Sequence, residues 1–148
     1  MRKIFPVVVL AVFAAFGYYS FRDSFNAPES DPRETAAVRS LGTIVEAQEQ
    51  YRSKYRTYAE HLYELGPPRD GGASSEEGAA LIPRDLALGQ RYGYNFEVHG
   101  YGDSFTATAD PVALGGEPPA ERHFFSDQSG VIRENVGGPA NASSKPVR

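Results

Sequence analysis

Residues 31–58, DPRETAAVRSLGTIVEAQEQYRSKYRTY, decide the fold. Asp31 can accept from first-turn amides, and Pro32 fits the first helical position, where no N–H is needed. Glu34 follows Asp31 by three residues, the spacing of a capping box with Asp in place of Ser or Thr. The stretch therefore predicts one long amphipathic helix from Asp31 to about Tyr58. Ala37, Val38, Leu41, Ile44, Val45, Tyr51 and Tyr55 fall on one arc of a 3.6-residue wheel, and Arg39, Glu46, Glu49, Gln50, Ser53 and Lys54 on the other. Gln48 lies near the centre of the apolar stripe and Arg52 within it. Burial of a large side chain is worth about 1.5–3 kcal/mol, so this face needs a partner surface.

The partner is expected from the second half, where the period changes to two. Tyr92, Tyr94, Phe96 and Val98 alternate with Gly93, Asn95, Glu97 and His99, as on a half-buried strand. Gly100 to Asp103 turns the chain, and Ser104–Ala109 returns with Phe105, Ala107 and Ala109 on one face. Arg122–Ser126 and Val131–Glu134 read as a second pair, joined by Asp127-Gln128-Ser129-Gly130 in a type I turn. Between the helix and the strands, 59–65 and 79–89 read as short helical or irregular pieces, with a flexible loop over 69–78. The predicted architecture is α+β: a long helix across a four-stranded antiparallel sheet.

Towards the N-terminus, Arg2 and Lys3 precede an uncharged run, Ile4 to Phe21. As a helix it would span about 27 Å, near the lower limit for a bilayer core. Ile4, Val8, Val12, Phe16 and Phe21 would face lipid, with Tyr18, Tyr19 and Arg22 at the far interface. The positive N-terminus predicts a single-pass, N-inside anchor, with a cleavable signal peptide as the rival reading. The expected organisation is an anchor or signal over 1–25, a linker over 26–30 interrupted by Pro28, an α+β domain over 31–136 and a disordered tail over 137–148.

Composition narrows the function. The net charge is −4 and no Lys/Arg run occurs, which argues against nucleic-acid binding. The absence of cysteine excludes disulfides, thiolate metal sites and a cysteine nucleophile. His61, His99 and His123 lack any metal-binding spacing, although His99 and His123 fall on strands that could bring them together. Asp103, Asp110 and Asp127 sit at turns where the side chain bonds the local backbone. Glu46, Glu49, Glu76 and Glu77 read as solvated carboxylates. No Gly-x-Ser-x-Gly or phosphate-binding glycine loop is present. Asn141-Ala142-Ser143 fits an N-glycosylation triplet. Tyr51, Tyr55, Tyr58, Tyr92 and Tyr94 read mostly as core, with any exposed ring available for contact. No catalytic, cofactor-binding or metal-ligating residue is assigned, and a non-enzymatic role is expected.

The order of parts is recognisable. Glu34 to Ile44 (ETAAVRSLGTI) followed by Ala47-Gln48-Glu49-Gln50-Tyr51, then Leu86-Ala87-Leu88-Gly89 before Tyr92-Gly93-Tyr94, Thr108-Ala109-Asp110-Pro111, and Arg122-His123-Phe124 with 127–133 (DQSGVIR), resemble a type IV pilin or type II secretion pseudopilin. The likeness covers residues 31–138. It implies a structural or accessory part of a secretion or pilus-type machine, set in the inner membrane with its domain in the periplasm, and protein partners within that assembly. One departure qualifies it. The family's peptidase site places a Gly, a Phe and a Glu before the hydrophobic run, whereas no acid occurs here between Met1 and Asp23. The family's buried Glu would pair with a neighbouring subunit, since an unpaired acid in lipid is costly. The alternative expectation is a periplasmic binding or protein-interaction module that has lost filament assembly.

Overall fold

The computed structural model describes residues 31–113, 115–116 and 119–148. The expected anchor, with Ile4, Val8, Val12, Phe16 and Phe21, and the linker over 26–30 lie outside the described residues. No helix among the described residues is long and apolar enough to cross a membrane.

Helix α1 spans Pro32–Tyr55, with Pro32 in its first turn and Asp31 accepting from the Arg33 amide at 2.8 Å. Asp31 also takes the Arg33 guanidinium at 2.6 Å. The capping-box expectation fails at its second half: Glu34 turns to Arg122, accepting from its backbone amide at 3.3 Å and from its Nε at 3.3 Å. The helix ends three residues before the expected Tyr58. Arg56 adopts a left-handed conformation, φ 69°, and its amide closes on the Arg52 carbonyl at 2.9 Å. Two one-turn helices follow, α2 at Leu62–Leu65 and α3 at Arg84–Ala87.

The sheet has six strands where four were expected: β1 Gln90–Arg91, β2 Tyr94–Gly100, β3 Phe105–Pro111, β4 Arg122–Asp127, β5 Arg133–Val136 and β6 Lys145–Pro146. They pair antiparallel in chain order, β1 to β6. The two additional strands are two residues each, too short to show a period of two. Tyr92 belongs to no strand. With Gly93 it forms the two-residue turn between β1 and β2, both at positive φ (53° and 78°), as two-residue hairpins require.

Alternation sets the two faces. Tyr94, Phe96, Val98, Phe105, Ala107, Ala109, Phe124 and Ser126 turn inward and are buried. The helix lies on this face, contacting β4, β3 and β2. Its buried positions are Glu34, Ala37, Ser40, Leu41, Ile44, Ala47, Gln48 and Tyr51. Three of these, Ala37, Ser40 and Ala47, are small, as are the inward-facing Ala107 and Ala109 of the sheet. Leu41, Ile44 and Tyr51 are fully buried, while Val38, Val45 and Tyr55 pack half-buried at its margins.

Residues 137–148 correct the expectation of a disordered tail. Lys145 and Pro146 pair with Glu134 and Arg133, and the Val147 amide donates to the Ile132 carbonyl at 2.9 Å. Outward-facing Arg133 and Asn135 hold the preceding loop, donating to the carbonyls of Ser144 (2.9 Å), Gly138 (3.0 Å) and Pro139 (3.3 Å). Phe125 also points outward, opposite Thr108 and Arg133, yet is 8% exposed. With Ala140 it is buried outside the main core cluster, consistent with that loop folding over the outer face. Small and polar residues carry no periodic signal, so this anchoring by hydrogen bonds is invisible to hydropathy.

Candidate functional site

Beyond the end of α1, the chain lies between two fixed surfaces. Gln48, fully buried, donates to the Ala59 carbonyl at 3.0 Å and accepts from the Ala59 amide at 2.9 Å. On the other side the Tyr58 amide donates to Gly102 at 3.1 Å, and the Gly100 amide to Glu60 at 3.1 Å. Residues 58–60 are thus clamped between the helix and the β2–β3 turn, and α2 is launched from a fixed point.

The loop after α2 is held equally firmly at its base. The amides of Ala79, Ala80, Leu81 and Ile82 return to carbonyls of Glu64, Gly66, Leu65 and Leu65 at 2.7–3.0 Å. Gly78 lies against Pro68, where an added Cβ would come within 2.7 Å of backbone. The loop expected to be flexible over 69–78 therefore has a closed neck. Tyr51 fixes its far side, donating its hydroxyl to the Glu76 carbonyl at 2.9 Å.

Helix, α2 and loop enclose an open cleft of about 730 Å³. Tyr51, Tyr58 and Tyr63 contribute to its wall; Glu60, Glu64, Asp70, Glu76 and Glu77 line it, with Arg69 its single basic lining residue. Arg69 lies over the Tyr63 ring, 4.7 Å from the centroid, and His61 stacks on Tyr63 at 5.3 Å. The Glu64 carboxylate accepts the Glu60 amide at 2.9 Å. Burial pushes the Tyr51 phenol up to about 12, with the negative charges of Glu64 and Glu76 adding to it. Such a cleft suits a cationic group, which its carboxylates attract.

The remaining sequence candidates separate. His123 Nδ1 meets Asp110 Oδ1 at 2.6 Å, and His99 lies 3.6 Å from Glu97. His99 stands opposite Thr106, four residues along β3 from Asp110, so the two histidines are not brought together. Asp127 caps its turn through the Ser129 amide (2.9 Å), with Gly130 at positive φ. Asp103 pairs with Arg52 at 3.4 Å, and Arg52 lies over the Tyr58 ring, whose hydroxyl donates to Glu49 at 2.7 Å. Burial, then the bond to Glu49, pushes the Tyr58 phenol up. Glu46 is exposed on the solvent side of the helix. No group of three or more acidic or histidine side chains suited to a metal ion occurs among the described residues. Of the five tyrosines, Tyr51, Tyr58 and Tyr94 are buried, Tyr55 is half-buried and Tyr92 is exposed beneath the Arg91 guanidinium. The sequence reading missed Glu60, Tyr63 and Glu64, which only the folding-back of 66–82 gathers with Glu76 and Glu77.

No family model, curated protein or solved structure matches this chain.

Proposed function

We propose that the chain is a non-enzymatic, pilin-like or pseudopilin-like structural or accessory component of a bacterial secretion or type IV pilus-type system. Its uncharged run over 4–21 would hold it in the inner membrane, with the α+β domain in the periplasm. The observation that carries this reading is the 24-residue helix α1, which follows that run after ten intervening residues and lies across an antiparallel sheet built in chain order. Such a helix is about 36 Å long. Its order in the chain, after an apolar run and before the sheet, is the order the resemblance to a pilin implies. The test is fractionation of cells producing the full chain, with N-terminal sequencing of the product. A Met1 or Arg2 start in the inner-membrane fraction, recovered with secretion or pilus proteins, supports the reading. A soluble product starting between Ala15 and Phe21 overturns it.

The cleft favours a second reading, a periplasmic binding or interaction module. Tyr51 stands 20 residues along from Asp31, about 30 Å of helix, so the acidic cleft is remote from the N-terminal end of α1. Soluble release together with salt-sensitive binding of a Lys/Arg-rich peptide would select this reading.

A further inference from the structure

We propose that the C-terminal segment exchanges between two copies of the chain, β6 of one molecule closing on β5 of the other. The segment is built as a strap. Gly137, at φ 74°, starts it. Residues 141–144 form a turn that bonds to itself: the Ser144 amide reaches the Asn141 carbonyl at 2.9 Å, and the Asn141 amide reaches the Ser144 hydroxyl at 3.0 Å. The strap therefore keeps its shape when lifted.

Its attachment is slight. Two residue pairs join β6 to β5. The ion pair of Lys145 to Glu134, at 3.0 Å, uses a lysine side chain 74% exposed, where screening leaves little energy. Val147 packs beside Ile132 at the margin of the core. Arg133 and Asn135 supply side-chain bonds to it, and two backbone bonds complete the set, Val147 amide to Ile132 at 2.9 Å and Gly137 amide to Glu121 at 3.1 Å. Lifting the strap frees the edge of β5 beside Phe125, the one large apolar side chain on the outward face of β2 to β4. A free strand edge beside an apolar side chain is a template for a further strand.

The occupant that fits is the same segment of a second copy. It restores every backbone pair, sets Lys145 against Glu134 and returns Val147 to Ile132, so the contacts of the closed monomer are reproduced across two chains. This inference concerns the described domain alone and does not depend on membrane attachment.

The absence of cysteine makes the test clean. Ile132 and Val147 lie opposite one another across β5 and β6, by continuation of their register. Separate Ile132→Cys and Val147→Cys variants of the full chain are mixed, co-refolded at rising concentration, oxidised and digested, and the linked peptides are identified by mass spectrometry. Exchange gives a 132–147 link across the two variants whose yield rises with concentration and exceeds that of an Ile132→Cys with Ser129→Cys mixture. A 132–147 link formed only within one chain of the double variant, with the mixture at background, overturns the proposal. Should either variant unfold, Glu134→Cys with Lys145→Cys reads out the adjacent pair in the same way.

Discussion

Gln48 and Ala59 bond to each other twice, side-chain amide to backbone amide, in a site closed to solvent. A glutamine in the middle of an apolar stripe is a mismatch only in one dimension. In the fold it does for residues 58–60 what a neighbouring strand would do, satisfying one donor and one acceptor that burial would otherwise leave bare. Gln48→Ala should lower stability by about 3 kcal/mol, since it strands both groups and opens a small void. Gln48→Leu should cost nearly as much despite matching the stripe better. Urea denaturation checks this; a leucine variant as stable as the parent would refute the role assigned to the amide.

Gly100 backs the same segment from the sheet side. A Cβ there would stand 2.3 Å from the Ala59 carbonyl oxygen and 2.8 Å from its carbon, both backbone atoms without a side chain's freedom to move. Gly100→Ala should therefore destabilise by more than 2 kcal/mol, as overpacking does. Gly102, at φ 71° with open space around it, should cost only about 1 kcal/mol as alanine, the strain of a left-handed backbone. Thermal melts of the two variants test the ordering, which reverses if residues 58–60 can shift.

Arg122 stands between two carboxylates that are nearly closed to solvent, Glu34 at 3.3 Å and Glu134 at 3.0 Å, with side chains 9% and 8% exposed. It links the first turn of α1 to β5. Removing the cation leaves two buried anions with reduced compensation, a change that costs about 3–5 kcal/mol for a buried pair. Arg122→Met should fall in this range, because the exposed Lys145 gives Glu134 only a screened partner. The double change Arg122→Met with Glu34→Gln should recover part of the loss, measured as a coupling energy from four denaturation curves.

Tyr51 makes the fold sensitive to alkali. Its phenol ordinarily ionises near 10 and is held at about 12 by burial and by Glu64 and Glu76. The folded state thus keeps a proton that the unfolded state releases. The stability tied to it is complete below 10 and is lost as pH rises from 10 towards 12. Tyr94 shifts in the same direction through burial, with the charges of Glu34 and Asp31 adding to it. Tyr51→Phe should flatten the decline of melting temperature across this window while losing the hydrogen bond to Glu76. An unchanged slope would mean that other tyrosines dominate.

The helix and the central strands were legible because their signals are periodic. Leu41, Ile44 and Tyr51 repeat at helical spacing, and Tyr94, Phe96 and Val98 alternate. Part of the buried face was not, because Ser40 and Ala47 are small, and a hydropathy wheel ranks them below Val38 and Val45. Glu34 was misjudged for a related reason. Its spacing from Asp31 suits a cap, but Arg122, 88 residues away in sequence, offers a charge as well as an amide. The cleft was illegible throughout: its carboxylates come from 60, 64, 70, 76 and 77, drawn together by backbone bonds from 79–82 to 64–66 and by Tyr51 on Glu76. Phe125 did leave a trace. Two adjacent phenylalanines on one strand must face opposite ways, so one of them required a cover that the sequence reading did not seek.

The closed neck of the 68–78 loop has a use in protein engineering. Its two ends touch where Gly78 meets Pro68, and four amides beyond it are already paired with the end of α2 and Gly66. Added residues at the exposed stretch from Gly71 to Ser74 would lengthen an arc whose endpoints are fixed by other bonds, and loop-closure cost rises only slowly with length. An epitope or a small reporter inserted there would be displayed beside the end of α1 without taxing the sheet.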